Sequence, residues 1–398
     1  MSTYLDHAAT TPMREEAVEA LVESLRETGN ASSLHASGRA ARRVLEESRE
    51  QLAAALDARP SEVVWTAGGT EADNLAVKGL FWARRAEDLR RRRILVSAVE
   101  HHAVLDPAFW LAEHAGAQVV LLEVDAEGRL DLEALAAELA ENPEEIALVS
   151  VMWANNEVGT VQPVQEVVQL ARRFGIPVHA DAVQALGQLP VRFAESGLDA
   201  LTLSAHKVGG PHGAGVLLAR RELALTPVLH GGGQERGVRS GTLDVPVARS
   251  FAVAAELAVT EQPEFASRVG ALRDALVAAV LEAVPDAVLR GAWPGTAEDG
   301  SLVRLPANAL FTFEGCEGDS LLYLLDAAGV ECSTGSACQA GVPQPSHVLL
   351  GMGVAERTAR GALRFSLGRT STPADVEALA AVLPEAVARA RKAGTVAG

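Results

Sequence analysis

Between residues 63 and 203 the sequence alternates short apolar runs with longer segments of helical periodicity. The five apolar runs cover residues 63–66, 94–97, 146–153, 176–180 and 201–203. A short run that is apolar throughout and is followed by a helix is typical of a parallel strand covered on both faces. The alternation therefore predicts an α/β fold with a large, doubly wound and mostly parallel sheet.

The chain is long enough for more than one hydrophobic core. It has 398 residues, of which 48% are apolar, and chains of this length usually divide into two domains. After residue 260 the pattern changes to helices with isolated strands near residues 309–313 and 363–366, which is typical of an α+β unit. We predict a large domain over 15–260, a small C-terminal α+β domain over 261–398, and an N-terminal segment, 1–14, that packs with the small domain.

Composition excludes several classes of protein. The net charge of −17 argues against a nucleic-acid-binding protein, because phosphate contacts require clustered cations. No basic segment precedes an apolar one at the N-terminus, and no apolar run approaches 18 residues, so we expect no membrane association and a cytoplasmic location. Three cysteines form no even disulfide framework.

The cysteine spacings also suit no common zinc site, and no metal is predicted. Cys316 and Cys332 are interpreted as small buried apolar residues. Cys338 precedes a segment containing glycine and two prolines, which disfavour regular helix or central strand. A cysteine on an irregular loop is exposed enough to react, so Cys338 is the candidate working thiol.

Polar clusters follow the apolar runs, and they are the candidate functional residues. In open α/β sheets ligands bind beyond the carboxyl ends of the strands. The clusters at these ends cover residues 68–74, 100–102, 155–157, 181–184 and 204–207. The sequence therefore predicts one polar site assembled from distant parts of the chain.

Lys207 is the most informative residue of these clusters. The chain has only three lysines, Lys78, Lys207 and Lys392, while arginine supplies almost all the positive charge. Arginine cannot replace an amine that must lose its proton and bond to a carbonyl carbon. A surface lysine on a loop is the simpler interpretation, but Ser204 and His206 beside it at a strand end favour a Schiff-base lysine.

The remaining clusters supply the other groups that pyridoxal phosphate requires. Gly69 and Thr70 stand at a predicted helix start, where free amides and a hydroxyl can bind a phosphate, although such a turn is often purely structural. Asp181 follows an apolar strand and can face a pyridinium nitrogen. The further candidates are a flat ring, His101, and the additional phosphate donors Ser204, His206 and Thr242.

At this point the sequence resembles the cysteine desulfurases, pyridoxal-phosphate enzymes of fold type I in the class V aminotransferase group. The resemblance covers nearly the whole chain. Its motifs are YLDHAATTP (4–12), GTEADN (69–74), EH (100–101), NNEVG (155–159), HADAVQ (179–184), SAHK (204–207), RGVRSGT (236–242), STGSAC (333–338) and RFSLGR (364–369).

The resemblance implies a role for each candidate residue. Lys207 would bind the cofactor aldehyde, and Asp181 would bond its pyridine nitrogen. His101 would stack on the ring and, as a further catalytic residue, move protons in the later steps. Arg364 would bind the substrate carboxylate, and Cys338 would be the nucleophile. The further cofactor residues would be Gly69, Thr70, Asn156, Gln184, Ser204, His206 and Thr242, and the further substrate residues would be Asn156 and Asn30.

The implied reaction is the removal of sulfur from L-cysteine, which gives L-alanine and a persulfide on Cys338. The persulfide would serve iron–sulfur clusters, thiolated tRNA or sulfur cofactors through an acceptor protein such as an iron–sulfur scaffold or a tRNA-thiolation protein. The loop after Cys338 resembles the longer type in this family. Thr242 would reach the phosphate of a neighbouring subunit, which implies a homodimer.

Two other functions remain open from the residues. One is a selenocysteine lyase or another class V lyase or aminotransferase, and Cys338 argues against the latter because transamination needs no such thiol. The other is a non-catalytic sulfur-relay scaffold with the same fold, which the joint presence of Lys207, Asp181 and Cys338 disfavours. A nicotinamide dehydrogenase would need fingerprint glycines that the sequence lacks.

Overall fold

The computed structural model describes residues 2–335 and 344–396, with side chains to residue 392. Its strands, in chain order, are β1 Thr3–Tyr4, β2 Val63–Thr66, β3 Arg93–Ser97, β4 Gln118–Leu122, β5 Ile146–Ser150, β6 Val178–Asp181, β7 Ala200–Ser204, β8 Gly215–Ala219, β9 Val288–Arg290, β10 Asn308–Thr312, β11 Val330–Glu331 and β12 Ala362–Ser366. The helices are α1 Glu15–Leu25, α2 Ala36–Ala55, α3 Gly69–Glu87, α4 His102–Ala115, α5 Leu132–Glu141, α6 Val164–Arg172, α7 Phe193–Ser196, α8 Val245–Thr260, α9 Gln262–Ala283, α10 Gly318–Ala327, α11 His347–Gly351, α12 Glu356–Ala359 and α13 Pro373–Val396.

A seven-stranded sheet organises the first two thirds of the chain. Its strand order is β2-β8-β7-β6-β5-β3-β4. The neighbouring strands β7, β6, β5, β3 and β4 pair in parallel, whereas β8 is antiparallel to both of its neighbours, β2 and β7. The predicted α/β class with a mostly parallel sheet is confirmed. The apolar runs predicted five of these strands, but β4 and β8 were missed.

The parallel strands are covered because helices pack along the sheet. Helix α3 buries Leu75, Leu80 and Phe81. Its start is fixed by a close backbone approach: a Cβ on Gly215 of β8 would lie 2.3 Å from the carbonyl carbon of Gly68. Only glycine fits there, so the N-terminus of α3 lies directly against the sheet at the edge where the strands end.

The C-terminal part of the chain forms a second layer. Strand β10 is antiparallel to β9 and β12, and helices α9, α10 and α13 pack over this small sheet around Leu276, Phe311 and Leu383. The N-terminal strand β1 joins this part by pairing in parallel with β11. The predicted boundary at residue 260 falls between α8 and α9, whose apolar residues belong to different cores. The division into three segments stays a prediction.

No helix within residues 2–335 and 344–396 is both long and apolar enough to cross a membrane.

Candidate active site

A cavity of about 380 Å³ lies at the carboxyl ends of β5, β6 and β7, and β12 of the small sheet closes its other side. Its size is within the range of small-molecule sites. The structure brings together here most of the residues predicted from the sequence. They are Gly69, Thr70, His101, Asn156, Asp181, Gln184, Ser204, His206, Lys207 and Arg364.

One end of the cavity is suited to an anion. Helix α3 begins at Gly69, and the first N–H groups of a helix have no partner within it. The side chains of Thr70, Ser204 and His206 lie at the same end, because β7 stops at Ser204 and turns through a short helix over Ala205–Lys207. His206 contacts the hydroxyl of Thr10 at 3.3 Å through Nδ1.

Lys207 reaches across the cavity floor to the N-terminal segment. Its Nζ donates to the carbonyl oxygens of Ala8 at 2.6 Å and Ala9 at 2.7 Å. Burial, and then the nearby cation of Arg364, lower the pKa of this amine to about 8. An amine with this pKa is available in its neutral form near physiological pH, as a nucleophile or a base must be.

Asp181 is the last residue of β6 and is almost completely buried. Its Oδ1 accepts a hydrogen bond from the backbone N–H of Val183 at 2.8 Å. Burial raises the pKa of this carboxyl to about 6, while the Val183 N–H and Lys207 oppose the rise. The group is therefore ionised at neutral pH, and a cationic ring nitrogen is a suitable partner for it.

A polar layer lies behind Asp181. The buried ring of His179 contacts Ser150 at 2.9 Å through Nδ1 and Thr202 at 3.0 Å through Nε2. Burial lowers the pKa of His179 to about 3, so the ring is neutral. Asp73 on α3 lies 3.6 Å from the same ring, and burial together with the charge of Asp181 raises the pKa of Asp73 well above its usual value. The neutral ring of His179 and the carboxyl of Asp73 thus form a buried hydrogen-bonding layer behind Asp181.

His101 caps helix α4, and its Nδ1 accepts from the N–H of Ala103 at 3.1 Å. Burial, and then the charge of Lys207, lower the pKa of His101 to about 4. A neutral, flat ring is therefore fixed at the cavity wall. Gln184 lies in the turn that follows β6, and it donates through Nε2 to the carbonyl of Ala8 at 2.9 Å.

Arg364 on β12 enters the cavity from the small sheet. It is buried, and its guanidinium donates through Nη1 to the carbonyl of Asn156 at 2.9 Å and through Nη2 to the carboxylate of Asp6 at 2.8 Å. Its Nε is buried and has no hydrogen-bond partner among the described residues. The guanidinium fork is a suitable group for a carboxylate, and it faces Lys207 across the cavity.

Three predicted residues are not part of the described cavity. Thr242 and Asn30 are exposed and line no part of it. Cys338 lies outside the described residues, although Ser333 and Gly335, which precede it, line the cavity. The other two cysteines are buried, as expected, and burial raises the pKa of Cys316 and raises that of Cys332 to about 12. Both are inert thiols by this criterion.

Sequence reasoning missed several contributors to the site. Asp6 was quoted within the N-terminal motif but was given no role, and the carbonyls of Ala8 and Ala9 carry no side-chain signal at all. Asp73 was likewise quoted only as part of a motif. Its neighbours Ala72 and Leu75 are apolar, and a carboxyl between apolar residues of a helix was the available signal.

The residues present fit pyridoxal phosphate. An amine of lowered pKa, a buried carboxylate, a neutral ring and an anion pocket at a helix start meet in one cavity. The guanidinium of Arg364 lines the same cavity and is a suitable group for a bound carboxylate. Among residues 2–335 and 344–392 no cluster of three or more histidine, cysteine or acidic side chains is placed to hold a metal ion.

Comparisons with known proteins agree with this geometry. Residues 3–379 match the family described as aminotransferase class-V. The chain is 57% identical over 394 residues to the IscS-like cysteine desulfurase of Mycobacterium tuberculosis, with 99% of this chain and 98% of that protein covered. It is 41% identical to the cysteine desulfurase IscS of Dictyoglomus turgidum, with 98% and 95% covered. A solved structure titled NifS-like protein superposes with a TM-score of 0.87 at 33% identity, covering 98% of this chain and 100% of that one.

Proposed function

This chain belongs to the class-V aminotransferase family and is a pyridoxal-phosphate-dependent L-cysteine desulfurase within it, and on that premise we propose a role for each group in the cavity. The observation that carries the assignment of roles is the meeting of Lys207, Asp181 and Arg364 in one cavity, from two different sheets. When bound, the cofactor supplies an aldehyde carbon and an electron-withdrawing ring.

Lys207 would hold the cofactor through its aldehyde and is the base of the proposed reaction. Its pKa of about 8 allows it to take the α proton of L-cysteine and to return a proton to the product. The carbonyls of Ala8 and Ala9 are positioned to accept hydrogen bonds from the protonated amine. Lys207 is thus held at the cavity floor while it carries the proton.

Asp181 and the anion pocket position the cofactor. The ionised carboxylate of Asp181 pairs with the ring nitrogen and keeps that nitrogen protonated. The phosphate is held by Thr70, Ser204, His206 and the N–H groups at the start of α3. The neutral ring of His101 stacks on the cofactor, and Gln184 contacts the ring oxygen.

Arg364 binds the carboxylate of L-cysteine, with Asn156 and Asn30 as further contacts. Cys338 then attacks the substrate sulfur as a thiolate. The carbon–sulfur bond of the substrate breaks, a sulfur–sulfur bond forms on Cys338, and the electron pair left on carbon takes a proton to give L-alanine. No external oxidant is needed, because the substrate carbon is reduced as the two sulfurs are joined.

The assembly and its partner are also part of this proposal. Thr242 is exposed and apart from the cavity of its own chain, so we assign it to the phosphate pocket of a second copy in a homodimer. A cytoplasmic protein, such as an iron–sulfur scaffold or a tRNA-thiolation protein, accepts the persulfide sulfur. Sedimentation of the holoenzyme tests the dimer directly.

The decisive experiment compares wild type with Cys338→Ala. Both are supplied with L-cysteine and a thiol reductant, and alanine and sulfide are measured together with the absorbance of the bound cofactor. We expect the wild type to release alanine and sulfide in equal amounts. We expect the variant to keep its cofactor absorbance and to release no sulfide.

Other outcomes would point to other functions. If Cys338→Ala released sulfide as fast as wild type, the persulfide step would be wrong and another class V lyase reaction would be operating. A wild type that binds no cofactor and is inert would support a sulfur-relay scaffold. Selenide release from L-selenocysteine by both proteins, with sulfide release from L-cysteine by neither, would identify a selenocysteine lyase.

A further inference from the structure

Asp6 is an acidic residue in contact with the cavity residue Arg364, and the proposed reaction does not use it. Its backbone pairs with Ser366 of β12 in a parallel bridge, and the Tyr4 hydroxyl donates to its carbonyl at 3.1 Å. Ser366 and Arg364 are two residues apart on one strand, so they share a face. The pairing with Ser366 therefore places the carboxylate of Asp6 beside the guanidinium of Arg364.

The guanidinium is held at two of its three nitrogens. Asp6 accepts from Nη2 and the Asn156 carbonyl accepts from Nη1, whereas Nε has no partner among the described residues. Asp6 is the only carboxylate within ion-pair distance of Arg364 in the described part of the chain. The orientation of the fork thus depends on one acidic side chain that is itself about one-fifth exposed.

The charge of Asp6 also opposes the substrate. A carboxylate that approaches Arg364 meets a cation already paired with a carboxylate, and like charges repel. Lys207 experiences the same negative charge, which raises the pKa of its amine against the larger effect of burial. A ligand that carries only a carboxylate gains little binding free energy at this arginine. An amino acid gains further binding free energy because its amine reacts with the cofactor.

We infer that Asp6 is a positioning and specificity residue, which orients Arg364 for the substrate carboxylate and weakens the binding of acids that lack an amine. This inference rests on the proposed role of Arg364. It assigns to the N-terminal segment a part in the selection of the substrate.

The test uses the holoenzyme and Asp6→Asn, with propionate as the probe. Propionate has a carboxylate but no amine or thiol, so it reacts neither with the cofactor nor with Cys338. We expect Asp6→Asn to bind propionate about tenfold more tightly by calorimetry, because one repelling charge is removed. For L-cysteine we expect kcat to fall about fivefold without a rise in KM, because the fork loses its fixed orientation.

Glu331→Gln is the matched control. Glu331 lies on β11 opposite Tyr4 and its charge also acts on the N-terminal segment, since it raises the pKa of Tyr4. It makes no ion pair with Arg364 in the described structure. Propionate affinity and kcat should both stay within twofold of wild type.

Arg364→Gln separates failure of this inference from failure of the proposed function. If Arg364→Gln does not raise the KM for L-cysteine, the role of Arg364 is wrong. If it does raise KM while Asp6→Asn leaves propionate affinity and kcat unchanged, the inference about Asp6 alone is overturned. Should Asp6→Asn fail to hold cofactor, Asp6→Glu replaces it: the retained charge should keep propionate binding weak while kcat falls, and an unchanged kcat would overturn the inference.

Discussion

The two sides of the cavity are built differently. On the large-sheet side, Asp181 and His101 are fixed by the nearby backbone: Asp181 accepts from Val183 and His101 from Ala103, each two residues along the chain. On the small-sheet side, Arg364 is fixed by Asn156 and Asp6, which are 208 and 358 residues away. Asp181 and His101 are thus held by local structure, whereas Arg364, and also Lys207 through the carbonyls of Ala8 and Ala9, are held by long-range contacts.

The difference predicts how each side responds to mutation. Asp181 and His101 should keep their geometry when a distant residue is changed, so substituting them should alter the chemical step itself. Arg364 should move when its distant partners are removed, so substituting those partners should alter the orientation of its side chain.

The largest effect is expected for Lys207. Lys207→Ala should lower the rate of alanine formation by at least about 10³-fold, because both the aldehyde-binding amine and the base are lost. Lys207→Arg is the matched variant, since it keeps the cation but cannot release a proton. Both variants should fold normally by circular dichroism. Appreciable turnover by Lys207→Arg would contradict a role in proton transfer.

A smaller loss is expected for Asp181→Asn. Removing a buried carboxylate that faces a cation should cost roughly 10²-fold in turnover and should weaken cofactor binding. Asp199→Asn is the control, because Asp199 also accepts a backbone N–H, that of Val178, at the opposite edge of the sheet. Cofactor titration of the apo-proteins measures the difference. Equal losses in the two variants would show that Asp181 acts only through stability.

A long-range contact outside the cavity lining can be tested at Ser346, which is 189 residues from its partner Glu157. Its hydroxyl donates to the buried carboxylate of Glu157 at 2.5 Å and caps helix α11 by accepting from Leu349. Ser346→Ala leaves a buried acceptor without its donor, so the free energy of unfolding should fall by about 1–3 kcal/mol. Turnover should fall severalfold while cofactor affinity stays unchanged.

Exposed Ser301, which donates to Asp299 at 2.6 Å, supplies the control variant Ser301→Ala. Denaturant unfolding of the three proteins gives the free energies. If Ser346→Ala lost cofactor affinity in proportion to turnover, the two sides would not be independent and the comparison would fail.

The smallest effect concerns pH. Only three lysines are present, so the labelling of Lys207 in the apo-protein by acetic anhydride can be resolved by mass spectrometry. The rate should rise with pH and level off above about pH 8, where the neutral amine predominates. Arg364→Gln should move this midpoint upward, because a cation that disfavours the protonated amine is removed. The profile of Lys78 should not move, and a fixed midpoint for Lys207 would mean that Arg364 does not act on it.

The sequence predicted the large-sheet side better than the small-sheet side, and the reason is physical. Asp181 and Lys207 follow apolar strands, and parallel strands bring their carboxyl ends together. The partnership of Asp6 with Arg364 depends on β1 pairing with β11 and on a bridge to β12, and no local pattern encodes that register. Arg364 itself was assigned only through a resemblance.

The fold shows the same limit. Strand β8 is a buried apolar run like those that were predicted, but it is antiparallel and inserted between β2 and β7, an order that chain sequence does not reveal. Strand β4 is an edge strand with partly exposed residues, so its apolar pattern was weaker. Burial on both faces made the central strands easy to recognise.

The pairing of the first residues with β11 and β12 has a consequence for biosynthesis. At about 5–20 residues per second, a ribosome needs roughly 20–70 seconds to travel from Asp6 to Arg364, which are 358 positions apart. The seven-stranded sheet is fully translated at Ala219, but the segment that supplies the Ala8 and Ala9 carbonyls to Lys207 has no strand to pair with until β11 and β12 are made. The nascent enzyme therefore completes its catalytic centre only when its last strand emerges.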